Sequence, residues 1–263
     1  MDYLLLICSL FYIVATILAA IRLITQHKHL IHYLLPIVIL ALITHAYWLY
    51  LHILLLHGQN LPILNVLALV TFIISMLATL ASKTFSTGVL LPIIYFCSVI
   101  NLIAINYLPS QFVTHLESHP QVAIHILFAL LAYSILSIAS LFALQLAYLD
   151  YRLKKRKLPL TKINMPPLMT LEKSLFQIIL IGFILLTITL LTGFIFIDNI
   201  FAQDQVDKVI FSIIAWIMFA VLLWGRFARG WRGRLTIYIT IIGSSLLTLG
   251  YFGSRFVQEV ILN

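Results

Sequence analysis

DYRLKKRKLPLTKINMPPLMTLEK, residues 150–173, holds seven of the chain's sixteen lysines and arginines and follows 28 residues (122–149) without one charged side chain. Crossing a bilayer takes about 20 apolar residues in a helix. The basic stretch therefore reads as the flank of a membrane span. Working outward from it, eight uncharged apolar runs appear: 3–21, 33–56, 61–81, 89–108, 122–149, 174–197, 209–224 and 235–252. Taken alternately, one set of the segments between them holds Arg22, Lys28, Lys83, all seven basic residues of 150–173, Arg226, Arg229, Arg232 and Arg234. The other set holds only Lys208 and Arg255. Basic residues near span ends are retained in the cytoplasm, so the asymmetry predicts the spans and their orientation together.

Composition agrees. Hydrophobic residues make up 63% of the chain and charged residues 9%, against averages of about 45–50% and about 25% in globular proteins. The expected fold is all-α, a polytopic bundle of eight transmembrane helices forming a single domain over 1–263, with both termini outside. Six of eight acids, Asp2, Glu117, Asp198, Asp204, Asp207 and Glu259, then fall outside as well. The net charge of +8 follows from the positive-inside pattern and calls for no nucleic acid; lipid is the expected environment. The first run begins after Asp2 and is too long for a signal-peptide core, so it reads as an uncleaved span. Cys8 and Cys97 form no CxxC pair and sit in apolar runs, as buried structural thiols do.

The inner loop has two readings. Its basic start is either a collar on anionic headgroups or a docking site for a protein partner. Near its end, Pro166 and Pro167 precede Thr170, which has the chemistry of an N-cap for the sixth span. Arg226 lies just past the seventh run, where a snorkelling arginine is expected.

Nine histidines are the main polar resource. His27, His29 and His32 flank the first two spans, as interfacial residues or a loose HxHxxH metal site. His45 lies near the middle of the second span, where an ionisable group usually faces the bundle interior. It reads either as a neutral histidine bonded to a neighbouring helix or as a cofactor ligand. His52, seven residues on, falls on the same helical face, about 10 Å further along. His115, His119 and His125 cluster in THLESHPQVAIH (114–125), with His57 predicted near the same membrane face. Imidazole is the usual ligand of haem iron, and a haem edge fits an apolar cleft. The outer cluster reads either as ordinary interfacial histidines or as a haem site; the ligand candidates are His125, His45, His115 and His57, with haem as the candidate cofactor. Trp231 has the position of an aromatic-belt anchor. No nucleophile elbow, Walker loop or buried carboxylate pair is present, so no enzyme is expected. The spans also lack the mid-membrane carboxylate usual in proton-coupled transport.

The motifs GQNLPILNV (58–66), THLE (114–117), ALQLAYLDYRLK (143–154), MPPLM (165–169), LLWG (222–225), GWRGR (230–234) and YFGSR (251–255) resemble, in order and spacing, inner-membrane proteins of the cytochrome c assembly superfamily. The resemblance implies haem handling at the outer membrane face. It places the family histidine that opens a span on His125. The family Lys followed by Trp eight residues later falls on Lys208 and Trp216. The chain also departs from the haem-handling members. Their WGxxWxWD segment is replaced by IDNIFAQDQVDK (197–208), their span histidine before GWxG by Trp224, and their last outer histidine has no counterpart in YFGSRFVQ (251–258). Three functions follow: haem binding linked to cytochrome c biogenesis, a cofactor-free auxiliary or regulatory subunit acting through 150–173, and metal-ion transport or a companion role in it.

Overall fold

A computed structural model describes residues 3–25, 29–54, 59–85, 87–108, 112–114, 120–155, 167–196 and 206–256. Eight helices coincide with the eight apolar runs: α1 (Tyr3–Thr25), α2 (Leu30–Leu49), α3 (Ile63–Ala81), α4 (Leu91–Tyr107), α5 (Pro120–Lys154), α6 (Leu168–Phe196), α7 (Val206–Arg229) and α8 (Arg234–Thr248). Lipid offers backbone groups no hydrogen bonds, so a run that crosses it must satisfy them internally, and a helix does so. Counted with the turns that extend α2 and α8, seven are long and apolar enough to cross a membrane. α4 has 17 residues, about 25 Å of rise, slightly short of the hydrocarbon core.

Prolines mark the beginnings. Pro120 opens α5, Pro92 lies in the first turn of α4, and Pro62 precedes α3 in extended conformation. A first-turn proline costs nothing, because its missing N–H would have had no helical partner. The same rule moves the start of the sixth span. α6 begins at Leu168, directly after Pro167, so Thr170 lies inside the first turn and is not the cap. α2 ends in a π turn, Tyr50–Leu54. α8 continues through another, Leu249–Gly253, into Ser254–Phe256.

The helices group into two compact units: Met1–His115 with Arg152–Pro167, and Leu116–Tyr151 with Leu168–Asn263. In the first, α1 packs on α2 and α4, and α3 packs on α2 and α4. Two-residue strands β1 (Gln59–Asn60) and β2 (Val113–Thr114) pair antiparallel, Gln59 opposite Thr114. Asn60 ties this end together. Its Oδ1 accepts from Phe112 N–H at 2.9 Å, and its carbonyl accepts from Asn65 Nδ2 at 3.2 Å.

In the second unit, α7 packs on α6 and α8. The helices approach closely at glycines, as membrane helices do where small residues let backbones meet. A Cβ on Gly182 would lie 2.6 Å from Leu136 Cδ2, one on Gly243 2.9 Å from Phe219 Cζ, and one on Gly250 2.9 Å from Phe211 Cβ. Ser244 Oγ adds a hydrogen bond to the Leu136 carbonyl at 3.1 Å.

Candidate functional site

His45 is fully buried among α1–α4. Its Nδ1 lies 3.2 Å from Tyr12 Oη on α1. The Tyr12 and Phe72 rings stand edge-on to it, with centroids at 5.7 and 5.4 Å. Nε2 is buried with no hydrogen-bond partner. One ring nitrogen is bonded to a neighbouring helix, as the first of the two sequence readings expects, and the other has no hydrogen-bond partner. A metal-ligating histidine has the same arrangement, one nitrogen held by a second group and the other directed at the metal.

His125 is built the same way from different elements. It lies in the second turn of α5, inside the helix rather than at its first residue. Nδ1 is 3.1 Å from Thr192 Oγ1 on α6. Thr192 lies within donating distance of the Ile188 and Thr189 carbonyls, at 2.9 and 3.0 Å. A hydroxyl has one proton, so with that proton on a carbonyl its oxygen accepts from His125 Nδ1–H. The ring rests against Gly193, where a Cβ would lie 3.0 Å from Cε1.

His52 does not share the His45 site. The π turn breaks the 3.6-residue register that would have aligned them. The His52 ring lies flat on Trp48 at 4.6 Å and 16°, with Nδ1 3.1 Å from the Trp48 carbonyl. The His29 and His32 rings are 6.5 Å apart, and among the described residues no three His, Cys, Asp or Glu groups converge to hold a metal. His27, His57, His115 and His119 lie outside the described residues. β1 and β2, which follow His57 and precede His115 in sequence, are the strands that pair.

Trp216, matched through the family pattern, donates Nε1–H to Thr187 Oγ1 at 2.9 Å and stacks on Phe183 at 5.5 Å. Trp231 packs on α7. Its indole covers Gly225 so closely that a Cβ there would sit inside the ring. Trp224 is 56% exposed, with Arg229 Cζ 5.0 Å from its ring centre.

Spacing gave no hint of the lock at the α7–α8 turn. Arg226 does not snorkel. Its guanidinium lies 3.6 Å from Glu172 Oε1, 3.2 Å from the Trp231 carbonyl and 4.5 Å over the Phe176 ring. Glu172, 5% exposed, also accepts from Gly233 N–H at 3.3 Å. Gly230 and Gly233 have φ of 66° and 70°, a backbone region that favours glycine. GWRGR is thus a turn whose glycines supply the bend and whose amide meets a buried carboxylate. Two opposite charges next to successive apolar runs were the available signal. Tyr12 was also missed, although a tyrosine in the middle of an apolar run invites a search for its partner.

The model of the family described as "Cytochrome C assembly protein" matches residues 34–262. Inner membrane protein YpjD of Escherichia coli strain K12 is 45% identical over 204 residues, 78% of this chain and 77% of that protein. Cytochrome c biogenesis protein CcsA of Prochlorococcus marinus strain MIT 9303 is 29% identical over 98 residues, 36% of this chain and 31% of the relative. CcsA of Synechococcus sp. strain RCC307 is 26% identical over 85 residues, 32% of this chain and 27% of the relative. No solved structure matches. The apolar helices and the YpjD likeness make this a multi-pass inner-membrane protein. With the family match spanning most of its length, the chain belongs to the cytochrome c assembly protein family.

Proposed function

We propose that the chain is a non-enzymatic haem-binding protein of cytochrome c biogenesis, with His125 as the first axial ligand, His45 next, and His115 and His57 after them. The observation that carries this reading is an imidazole in each unit with Nδ1 set against a hydroxyl. At His45 the opposite nitrogen is buried without a partner. The donor chemistry fits haem iron, for which a neutral imidazole is the usual axial ligand. Gly193 leaves the His125 ring a flat seat that a Cβ would fill. Bound haem would supply a redox-active iron; the chain's own residues hold and orient the imidazoles and keep them within an apolar bundle. The relatives named for cytochrome c biogenesis support the same role. In this reading both termini face outside and the segment 150–173 faces the cytoplasm.

The test is the absorption spectrum of the detergent-purified protein during titration with haemin. The expected result is a saturable Soret band that His125→Ala weakens. A protein that stays colourless with excess haemin would end this reading.

A second reading, an auxiliary subunit engaging a protein partner through 150–173, is favoured by one feature. α5 is 35 residues long and runs through Arg152 to Lys154, about 52 Å against a core of about 30 Å. The first basic residues of the loop are thus held on a helix. Charge reversal at Lys154 and Lys155 should then abolish partner capture while histidine variants leave it intact; the opposite pattern rejects it.

A further inference from the structure

The stretch around the α7–α8 turn, residues 224–238, carries four arginines and no acid. Two of the four are matched by carboxylates. Arg226 faces Glu172 at 3.6 Å, and Arg234 faces Asp150 at 3.4 Å. Arg229 and Arg232 are exposed. Among the described residues no carboxylate lies within ion-pairing distance of either. The turn therefore presents two guanidiniums whose counter-charge must come from outside the described chain.

Both are held in place. Arg229 Cζ lies 5.0 Å from the Trp224 ring centre, a cation–π contact. Arg232 sits between two anchored neighbours. The Trp231 carbonyl accepts from Arg226 at 3.2 Å, and Gly233 N–H donates to Glu172 at 3.3 Å. The backbone on either side of Arg232 is tied inward, while its side chain stays outside. Groups fixed beforehand lose less freedom on binding.

The apolar surroundings select the partner. Ile210, Ile214, Ile217, Val221 and Trp224 recur every three or four residues along α7 and are all exposed, so they form one stripe on the helix. Leu235, Tyr238 and Ile242 form another on α8. On a chain that crosses a bilayer, such stripes are covered by acyl chains. Both stripes end at the turn. Phe227, 76% exposed, comes just before Arg229, and tryptophan concentrates at the level of the headgroups. The two unmatched arginines thus stand where the phosphates of the covering leaflet lie. An acidic protein would meet the guanidiniums but leave the stripes and Phe227 bare. A phospholipid meets both.

We propose that the α7–α8 turn binds the headgroup of an anionic phospholipid, with Arg229 and Arg232 holding its phosphate and Trp224 and Phe227 lying against its acyl chains. The guanidinium fork suits this task because its N–H donors match two phosphate oxygens at once. The site uses no histidine and does not rest on the haem reading.

The experiment is native mass spectrometry of the full chain in detergent, titrated in parallel with phosphatidylglycerol, phosphatidylcholine and glycerol phosphate. The wild type should retain phosphatidylglycerol well above the zwitterionic lipid, and glycerol phosphate hardly at all. The double variant Arg229→Gln, Arg232→Gln should retain phosphatidylglycerol more weakly by about 5-fold for each arginine removed. The double variant Lys154→Gln, Lys155→Gln removes the same charge from the basic segment 150–173 and should lose less. Equal retention of the two lipids by the wild type overturns the proposal. So does an equal loss in the two double variants, which would mark a diffuse basic surface. Glycerol phosphate bound as tightly as phosphatidylglycerol would also overturn it, by showing a site for a soluble phosphate.

Discussion

The first unit holds its histidine with a buried phenol from a neighbouring helix, and the second with one threonine set beside a glycine. The chain's sequence already divides this way. Eight of its ten glycines lie between Gly182 and Gly253, and the apolar runs of the first unit contain none. Hydrophobic transfer does little to join helices already in lipid. Packing and interhelical hydrogen bonds must do so. The first unit relies on the second of these: Tyr12 to His45, Ser75 to Ser98, and Thr79 to Tyr95 at 2.8 Å. The second unit relies on close approach at Gly182, Gly225, Gly243 and Gly250, with the Glu172–Arg226 pair closing one end. His45 is therefore held by one phenol on a neighbouring helix, with a second ring set edge-on to it. His125 is fixed by contact on one side and a single hydroxyl on the other.

The comparison can be broken at four places. The largest effect belongs to Glu172→Ala, which strands Arg226 and removes the acceptor of Gly233 N–H. Breaking a buried pair costs about 3–5 kcal/mol. Arg226 is partly solvated, its side chain 23% exposed, so the low end, about 3 kcal/mol, is expected in a detergent unfolding titration. Gly225→Ala comes next. Its Cβ meets the Trp231 indole, and overpacking of this kind costs about 1–3 kcal/mol by the same measurement. Thr192→Val should remove the hydroxyl behind His125 and weaken haemin binding about 10-fold, read from the Soret band. The smallest loss of stability is expected for Ser75→Ala. A membrane hydrogen bond averages about 0.6 kcal/mol, so the unfolding midpoint should barely move. If Ser75→Ala cost more than Gly225→Ala, the division between a hydroxyl-built and a glycine-built unit would be wrong.

Most of the fold was legible because hydropathy is a local property. Each uncharged run became one helix, and the expected ends differ mainly where prolines or π turns act. The turns were not legible. A π turn has no residue signature of its own, and one extra residue in the hydrogen-bonded ring separated His52 from His45. Of the site, His45 could be picked out because an imidazole inside an uncharged run is costly unless partnered. Its partner could not be named, since Tyr12 lies 33 residues away and spacing does not encode which helices meet. Thr192 is 67 residues from His125 and was hidden for the same reason. Glu172 and Arg226 each looked like an ordinary end-of-span charge, and the packing of α6 on α7 brings them together. The packing of Trp231 on Gly225 was hidden as well, because an interfacial tryptophan and one covering a glycine have the same place in the sequence.

The most direct test of the account compares haemin titrations of the wild type, His45→Gln, His125→Gln and the double variant, following the Soret band in detergent. The predicted result is saturable binding in the wild type, weaker binding in each single variant and none in the double variant. A Soret band of wild-type strength in the double variant would contradict the proposal that His45 and His125 are haem ligands.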